Sequence, residues 1–199
     1  DEFPLHDVYI SGFYMDRYRV SNEKMREVMQ WAYDEGKLSV TYDSVKNAEG
    51  DQQELIELDG FDCYCQISWN SSENRFVVDS GKDDYPCIEV TWYGAMAYCK
   101  YKNEMEGKEQ TISLSDWSID WTKKGYRLPT EAEWERAARG GVAGRRFPWS
   151  DADYIDFKRA NYRSWWQHGT PVFSYDQAAS DGYSPDWDTG TQPYTSPVG

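Results

Sequence analysis

Two short polar segments carry side chains suited to chemistry: Asn161-Tyr162 and Asp181-Gly182-Tyr183. Both lie in stretches without a regular hydrophobic period, so their backbone carbonyls lack assured ladder partners. Calcium takes oxygen from carboxylates, amides and backbone carbonyls. An ion shared by two such loops would join them and offset part of the entropy lost in ordering them. Other constellations fall short. Nothing marks His6 or His168, the two histidines, as the base of a Ser-His-Asp triad. "GGVAGRR" has the glycines of a phosphate loop but lacks its Gly-Lys-Ser/Thr ending and follows a helix instead of a strand. "DGYSPDWD" does not have the carboxylate spacing of an EF-hand, and Asp83-Asp84 reads as solvated surface. Cys63, Cys65, Cys87 and Cys99 do not have zinc-knuckle spacing and read as reduced, packed thiols. On a strand, Cys63 and Cys65 would share a face.

The elements that must position these groups are legible in part. "HDVYISGFYMDRYRV" (His6 to Val20) reads as two short strands around a Ser11-Gly12 turn. Ser21 caps a helix in which Met25, Val28, Met29 and Ala32 repeat at helical spacing, and Gly36 ends it. "CYCQISWN" and "RFVVDSG" form a hairpin around the polar turn Asn70 to Asn74. Asn70-Ser71-Ser72 is formally a glycosylation acceptor, and a turn explains it. A short strand from Tyr85 leads to Thr91, which caps a second helix with Trp92, Ala95, Met96 and Cys99 on one face and Gly107 at its end. In "GYRLPTEAEWERAARGG", Pro129 keeps Leu128 extended. Thr130 and Glu133 make a capping box, Trp134, Ala137 and Ala138 face inward, and Gly140-Gly141 stop the helix. From Arg145 to Gly199 the chain reads as loop, which in a compact domain is functional or held by something else.

A chain of 199 residues can bury a sizeable core. Its formal net charge of -14 argues against nucleic acid and against an anionic membrane surface. Apolar content is 39%, but the 10 tryptophans and 16 tyrosines bring much area per residue. No apolar run approaches the roughly 20 residues a membrane helix needs, so membrane insertion is not expected. The chain begins at Asp1 and reads as processed or trimmed; it is expected to be soluble, and extracytoplasmic or cell-surface if a leader was removed.

Three segments carry a resemblance. "FYMDRYRVSNEKMREVM", "YPCIEVTWYGAMAYCKY" and "GYRLPTEAEWERAARGG" resemble, in order and spacing, the signatures of the formylglycine-generating enzyme/sulfatase-modifying-factor family, and "RRFPWSD" with "ANY" continues the likeness. The resemblance implies one α+β domain over residues 1–199, with the C-type-lectin-like fold of that family, little regular structure and long loops. Residues 37–84 then look like an insertion. It also implies a structural calcium site, with side-chain oxygens from Asn161 and Asp181 and backbone carbonyls from Tyr162 and Tyr183. The family's oxidases use copper held by two cysteines in a C-terminal part that this sequence does not show, and none of its four cysteines matches that pair. Copper is therefore expected only if further sequence carries it.

Two functions follow from the resemblance. The first is a non-catalytic ligand-binding or display module, such as the variable proteins diversified by retroelements. The second is the N-terminal part of an oxidase that converts a sulfatase cysteine to formylglycine. An iron-dependent sulfoxide synthase is a weaker third, because two lone histidines do not make its iron site. The expected partner of a binding module is a protein or other macromolecular ligand. An apolar face left open would invite a partner chain or a homodimer that completes the fold.

Overall fold

The computed structural model describes residues 8–60 and 62–199. In chain order the elements are α1 (Asn22–Asp34), β1 (Leu38–Val40), β2 (Ser44–Asn47), β3 (Glu54–Glu57), β4 (Ile67–Asn70), β5 (Arg75–Val78), α2 (Trp92–Met105), α3 (Glu131–Ala138), β6 (Arg163–Ser164), β7 (Trp166–Gln167), β8 (Thr170–Pro171) and β9 (Gly182–Tyr183). Few helices, short strands and long connections make the expected α+β fold. The chain divides into two compact units. Tyr18–Leu128 with Thr195–Gly199 form the larger; Pro129–Tyr194, with 8–17, form the smaller.

The larger unit holds the apolar core. Ser21 caps α1 by accepting a hydrogen bond from the Lys24 amide, and Met25, Val28, Met29 and Ala32 are buried as their spacing requires. The helix ends where Gly36 takes a φ of +71°, with the Lys37 amide returning to the Ala32 carbonyl at 2.9 Å. Strands β1, β2 and β3 form an antiparallel meander, with a register shift between Val45 and Lys46. Strands β4 and β5 make the expected hairpin, Ile67 opposite Val78 and Asn70 opposite Arg75. Its turn is built by Asn70, whose Oδ1 accepts from the Ser72 hydroxyl at 2.7 Å and the Ser72 amide at 3.1 Å. Leu38, Val45, Leu55, Ile56, Leu58, Ile67 and Phe76 are all buried, so segment 37–84 supplies much of the core.

Helix α2 starts at Thr91, whose hydroxyl accepts from the Gly94 amide at 3.0 Å and donates to the Glu54 carbonyl at 2.6 Å. A Cβ on Gly94 would collide with the Leu55 carbonyl, so only glycine lets the helix lie this close to β3. That contact fixes the roll of the helix. Met96, Ala97, Tyr98, Cys99 and Tyr101 face the core, whereas Trp92, expected on the inner face, is 53% exposed. The strand expected before α2 is reduced to two isolated bridges, Ser21 with Pro86 and Ile56 with Val90. Neither strand expected in His6 to Val20 forms over residues 8–20. The end of that stretch is tied in by the Cys87 amide, which donates to the Val20 carbonyl at 3.0 Å, whereas Tyr9 and Tyr14 lie open to solvent. His6 itself lies outside the described residues.

The start of the Gly125–Gly141 segment belongs to this unit and is clamped. The buried Asn103 accepts from the Tyr126 amide at 2.6 Å and donates back to the Tyr126 carbonyl at 2.9 Å. A Cβ on Gly125 would strike the Glu109 carbonyl and the Asn103 side chain.

In the smaller unit α3 has the full capping box: Thr130 Oγ1 accepts from the Glu133 amide at 3.2 Å, and Glu133 Oε2 accepts from the Thr130 amide at 2.8 Å. The inward face expected of this helix is not apolar. Trp134 is 61% exposed, Ala137 is exposed, and Glu133 is the residue that is buried, because the box draws its side chain back against the chain. Beyond α3 the backbone is irregular except for two antiparallel ladders of two residues per strand, β6 with β9 and β7 with β8, and an isolated parallel bridge between Ile155 and Asp176. Among the described residues, every buried hydrophobic side chain except Ala178 belongs to the larger unit. Besides Ala178, the smaller unit buries the polar Glu133, Ser164, Asp176 and Ser184.

Candidate functional site

A polar knot around Asp176 organises the loops that carry the candidate residues. Asp176 Oδ1 accepts from the Tyr162 hydroxyl at 2.5 Å and the Ala178 amide at 3.0 Å, and Oδ2 accepts from the Ser164 hydroxyl at 2.6 Å. Burial pushes the carboxyl towards the neutral form, but the Ser164, Tyr162 and Ala178 donors outweigh it and hold the pKa below the usual carboxylate range. Burial and the Asp176 acceptor push the Tyr162 phenol up, so it stays a donor. Sequence reasoning missed Asp176. Its one local sign is the bond to the amide two residues on, the habit of aspartate in turns.

The knot feeds directly into the β6–β9 ladder, which sets Arg163 opposite Tyr183 and Ser164 opposite Gly182. The two segments picked from the sequence therefore lie side by side. Asn161 and Asp181, however, sit at opposite ends of that antiparallel ladder. Asn161 donates its amide to the Tyr194 carbonyl at 2.8 Å, and Asp181 Oδ1 accepts from the Trp166 amide at 2.9 Å. The Tyr183 ring packs on Tyr194 at 4.2 Å, with the Arg163 guanidinium 5.4 Å from it. Ser184 Oγ, next in the chain, is buried without a hydrogen-bond partner, an oxygen that a cation could satisfy. The two segments are joined by the ladder and an orphan oxygen lies beside it, but the Asn161 and Asp181 side chains do not converge.

Beside the ladder runs an aromatic surface. The Val172 amide bonds the Trp165 carbonyl at 2.9 Å at the base of the β7–β8 hairpin, so Trp165 and Val172 are neighbours. Phe173 stacks on Tyr175 at 5.3 Å, Tyr175 meets Phe147 edge-on at 5.8 Å, and Phe147 stacks on Trp149 at 4.9 Å. Trp165 is 55% exposed and Phe173 47%. His168 lies at the exposed hairpin tip with φ +51°.

The cysteines sit in the larger unit as thiols. Cys63 and Cys65 lie in irregular chain, not on the strand that would align them, because β4 starts only at Ile67. Burial pushes the Cys65 thiol up to about 12, and pushes Cys63 and Cys87 up as well, so all three are protonated at neutral pH. Packed thiols of this kind are poor nucleophiles.

The model of the sulfatase-modifying factor enzyme 1-like domain matches residues 1–196. The chain belongs to this family. Among its relatives is the serine/threonine-protein kinase pkn1 of Chlamydia caviae, 32% identical over 88% of this chain and 21% of that one. The formylglycine-generating enzyme of Bos taurus is 29% identical over 92% of this chain and 45% of that one. That of Thermomonospora curvata is 28% identical over 96% and 55%. The chain thus spans about a fifth of the kinase relatives and about half of the formylglycine-generating enzymes it matches. Among solved structures, the crystal structure of CarF covers 68% of this chain and 50% of that one, with a TM-score of 0.44 and 20% identity, too loose a likeness to support any conclusion. Among the described residues no helix is long and apolar enough to cross a membrane.

Proposed function

We propose that this family member is a non-catalytic binding module whose contact surface is the aromatic face of the smaller unit. The observation that carries the reading is the contiguous exposure of Trp165, Val172 and Phe173 in a unit whose interior is polar. Exposed aromatic and aliphatic groups on a hairpin suit a protein partner, since tryptophan and other large rings supply contact energy with little rotamer entropy to lose. The charge of -14 disfavours nucleic acid at this surface. Two relatives support the reading. The chain matches only a fifth of the Chlamydia kinase, so this kind of domain occurs as one segment of a longer protein. A second relative, 36% identical over 70 residues, carries the name inactive C-alpha-formylglycine-generating enzyme 2 of Bos taurus.

The deciding experiment is oxygen uptake by the protein as its gene encodes it, with copper and a sulfatase-derived Cys-x-Pro-x-Arg peptide. The binding-module reading expects no peptide-dependent uptake. Conversion of the peptide cysteine to an aldehyde, read by mass spectrometry, would replace that reading with the oxidase. We further propose that calcium draws on Asn161, Tyr162, Asp181 and Tyr183 as a structural ion. The support is the resemblance of the two segments, the ladder joining them and the orphan Ser184 oxygen.

A further inference from the structure

The larger unit contains a cleft of about 300 Å³ between α2, the turn from β2 to β3 and the loop from Ile112 to Ser115. That is the low end of the roughly 300–1,000 Å³ typical of small-molecule sites. One wall carries Lys37, Lys100 and Glu104. Lys100 Nζ donates to Glu104 Oε1 at 2.6 Å and Lys37 Nζ to Oε2 at 3.0 Å, so two ammonium groups share one carboxylate. Burial opposes the Glu104 charge, but the Lys100 and Lys37 bonds outweigh it and hold the pKa below the usual carboxylate range. An ammonium has three N–H donors. Lys37 uses one on Glu104, and Lys100 uses two, the second on Gln110 at 3.1 Å, which leaves a donor on each. Glu49 lines the same cleft, and its charge acts on Lys37. The buried Ile112 and Leu114 add apolar lining beside the Ser113 and Ser115 hydroxyls, which bond each other at 2.9 Å.

Buried groups tie these walls together. The Tyr101 hydroxyl donates to Asn47 Oδ1 at 2.7 Å, and the Asn47 amide donates to the Glu49 carbonyl at 2.5 Å, so α2 holds the turn. The Trp117 indole N–H donates to Asp51 Oδ2 at 3.1 Å, which holds the loop to the same turn. Gly50 has φ +66°, and a Cβ on it would come within 3.2 Å of the Leu114 carbonyl, so glycine lets turn and loop approach at the edge of the cleft. Gln52 and Trp117 have φ of +53° and +56°. Side chains keep that left-handed conformation only where their surroundings fix it, and such residues gather at ligand sites.

We propose that this cleft binds a free aliphatic α-amino acid as its zwitterion. A bare anion would meet Glu49 and Glu104 in a chain of net charge -14, and a bare cation would meet Lys37 and Lys100. A zwitterion matches both signs. Its carboxylate takes the remaining Lys37 and Lys100 donors, its ammonium takes Glu49 and the serine hydroxyls, and its side chain lies on Ile112 and Leu114. This site is separate from the aromatic face of the smaller unit, and neither stands or falls with the other.

The test is an NMR titration of the full chain with L-leucine, with leucinamide, N-acetylleucine and glycine in parallel. Leucine is expected to shift the amides of 49–50, 100–104 and 112–115 saturably. Leucinamide lacks the carboxylate and N-acetylleucine the ammonium, so each should bind about tenfold more weakly or worse. Glycine, without a side chain to bury, should also bind more weakly. Glu49→Gln, at an exposed position that should leave the melting temperature in place, is expected to weaken leucine and leave N-acetylleucine unchanged. Lys37→Met should weaken leucine and leave leucinamide unchanged. A merely structural loss would weaken every ligand alike. No saturable shift with leucine, leucine bound no better than leucinamide or N-acetylleucine, or an unchanged leucine affinity in Glu49→Gln overturns the proposal.

Discussion

Asp176 and Gly94 are each held by an arrangement that admits no substitute. Asp176 is 6% exposed and accepts three hydrogen bonds, so Asp176→Ala takes the acceptor from the buried Ser164 hydroxyl and leaves the half-buried Tyr162 hydroxyl only the longer bond to the Ile155 carbonyl. The expected loss is about 2–3 kcal/mol at neutral pH, measured by denaturant unfolding. Its pH dependence has a definite sign. The folded pKa lies below the unfolded one, so the carboxylate contributes fully above an unfolded value of about 4, and the contribution fades as pH falls through the folded value. The gap between the parent chain and Asp176→Ala should therefore narrow in acid; a gap that widens would contradict the bonding described. Gly94→Ala tests the reverse of a propensity rule. In an open helix it would gain up to about 1 kcal/mol. Here the new methyl meets the Leu55 carbonyl, part of a strand that cannot swing aside, and a net loss of roughly 2 kcal/mol is expected in the same measurement.

Among the elements, α3 separates what the sequence shows from what it hides. Thr130→Ala removes one half of the box and leaves the Glu133 amide without its acceptor, at a cost of about 1 kcal/mol. Trp134→Ala touches an exposed ring and should change stability by no more than about 0.5 kcal/mol. Thermal melting of the two variants gives the order directly. Caps were legible because they depend on three neighbouring residues: Ser21, Thr91 and Thr130 all accept the amide three positions on. Burial was legible for α1, where one apolar stripe meets one core. It misled for Trp92 and Trp134, because periodicity says which side chains share a face and leaves open what that face meets. The β1–β2–β3 meander escaped notice because strands of three or four residues show too few alternations to count. The two calcium-candidate segments were found as sequence, but their pairing through β6 and β9 rests on contacts across nearly twenty residues, and the Asp176 knot on side chains that no motif marks.

The whole molecule joins two units with different cohesion. The larger has an apolar core between α1, α2 and the short strands; the smaller is held by hydrogen bonds and ring contacts, with Ala178 its one buried hydrophobic side chain among the described residues. Regions with few buried apolar contacts open at lower free energy than the global transition. Amides at the β6–β9 ladder should therefore exchange faster than those at the centre of α1 and α2. Calcium gives that difference a handle. A ligand that binds only the folded loops stabilises them by RT ln(1 + [L]/Kd), about 2.7 kcal/mol when the ion is at a hundred times its dissociation constant. Because Asn161 and Asp181 flank the ladder at opposite ends, an ion that draws on both must reorganise the Tyr194 and Trp166 contacts they now make. Calcium should then slow exchange at 161–166 and 181–184 and leave α1 and α2 unchanged, and a chelator should reverse it. Slowing of equal size across both units would mean global stabilisation instead of an ion at the ladder, and no change at the ladder would remove calcium from these four residues.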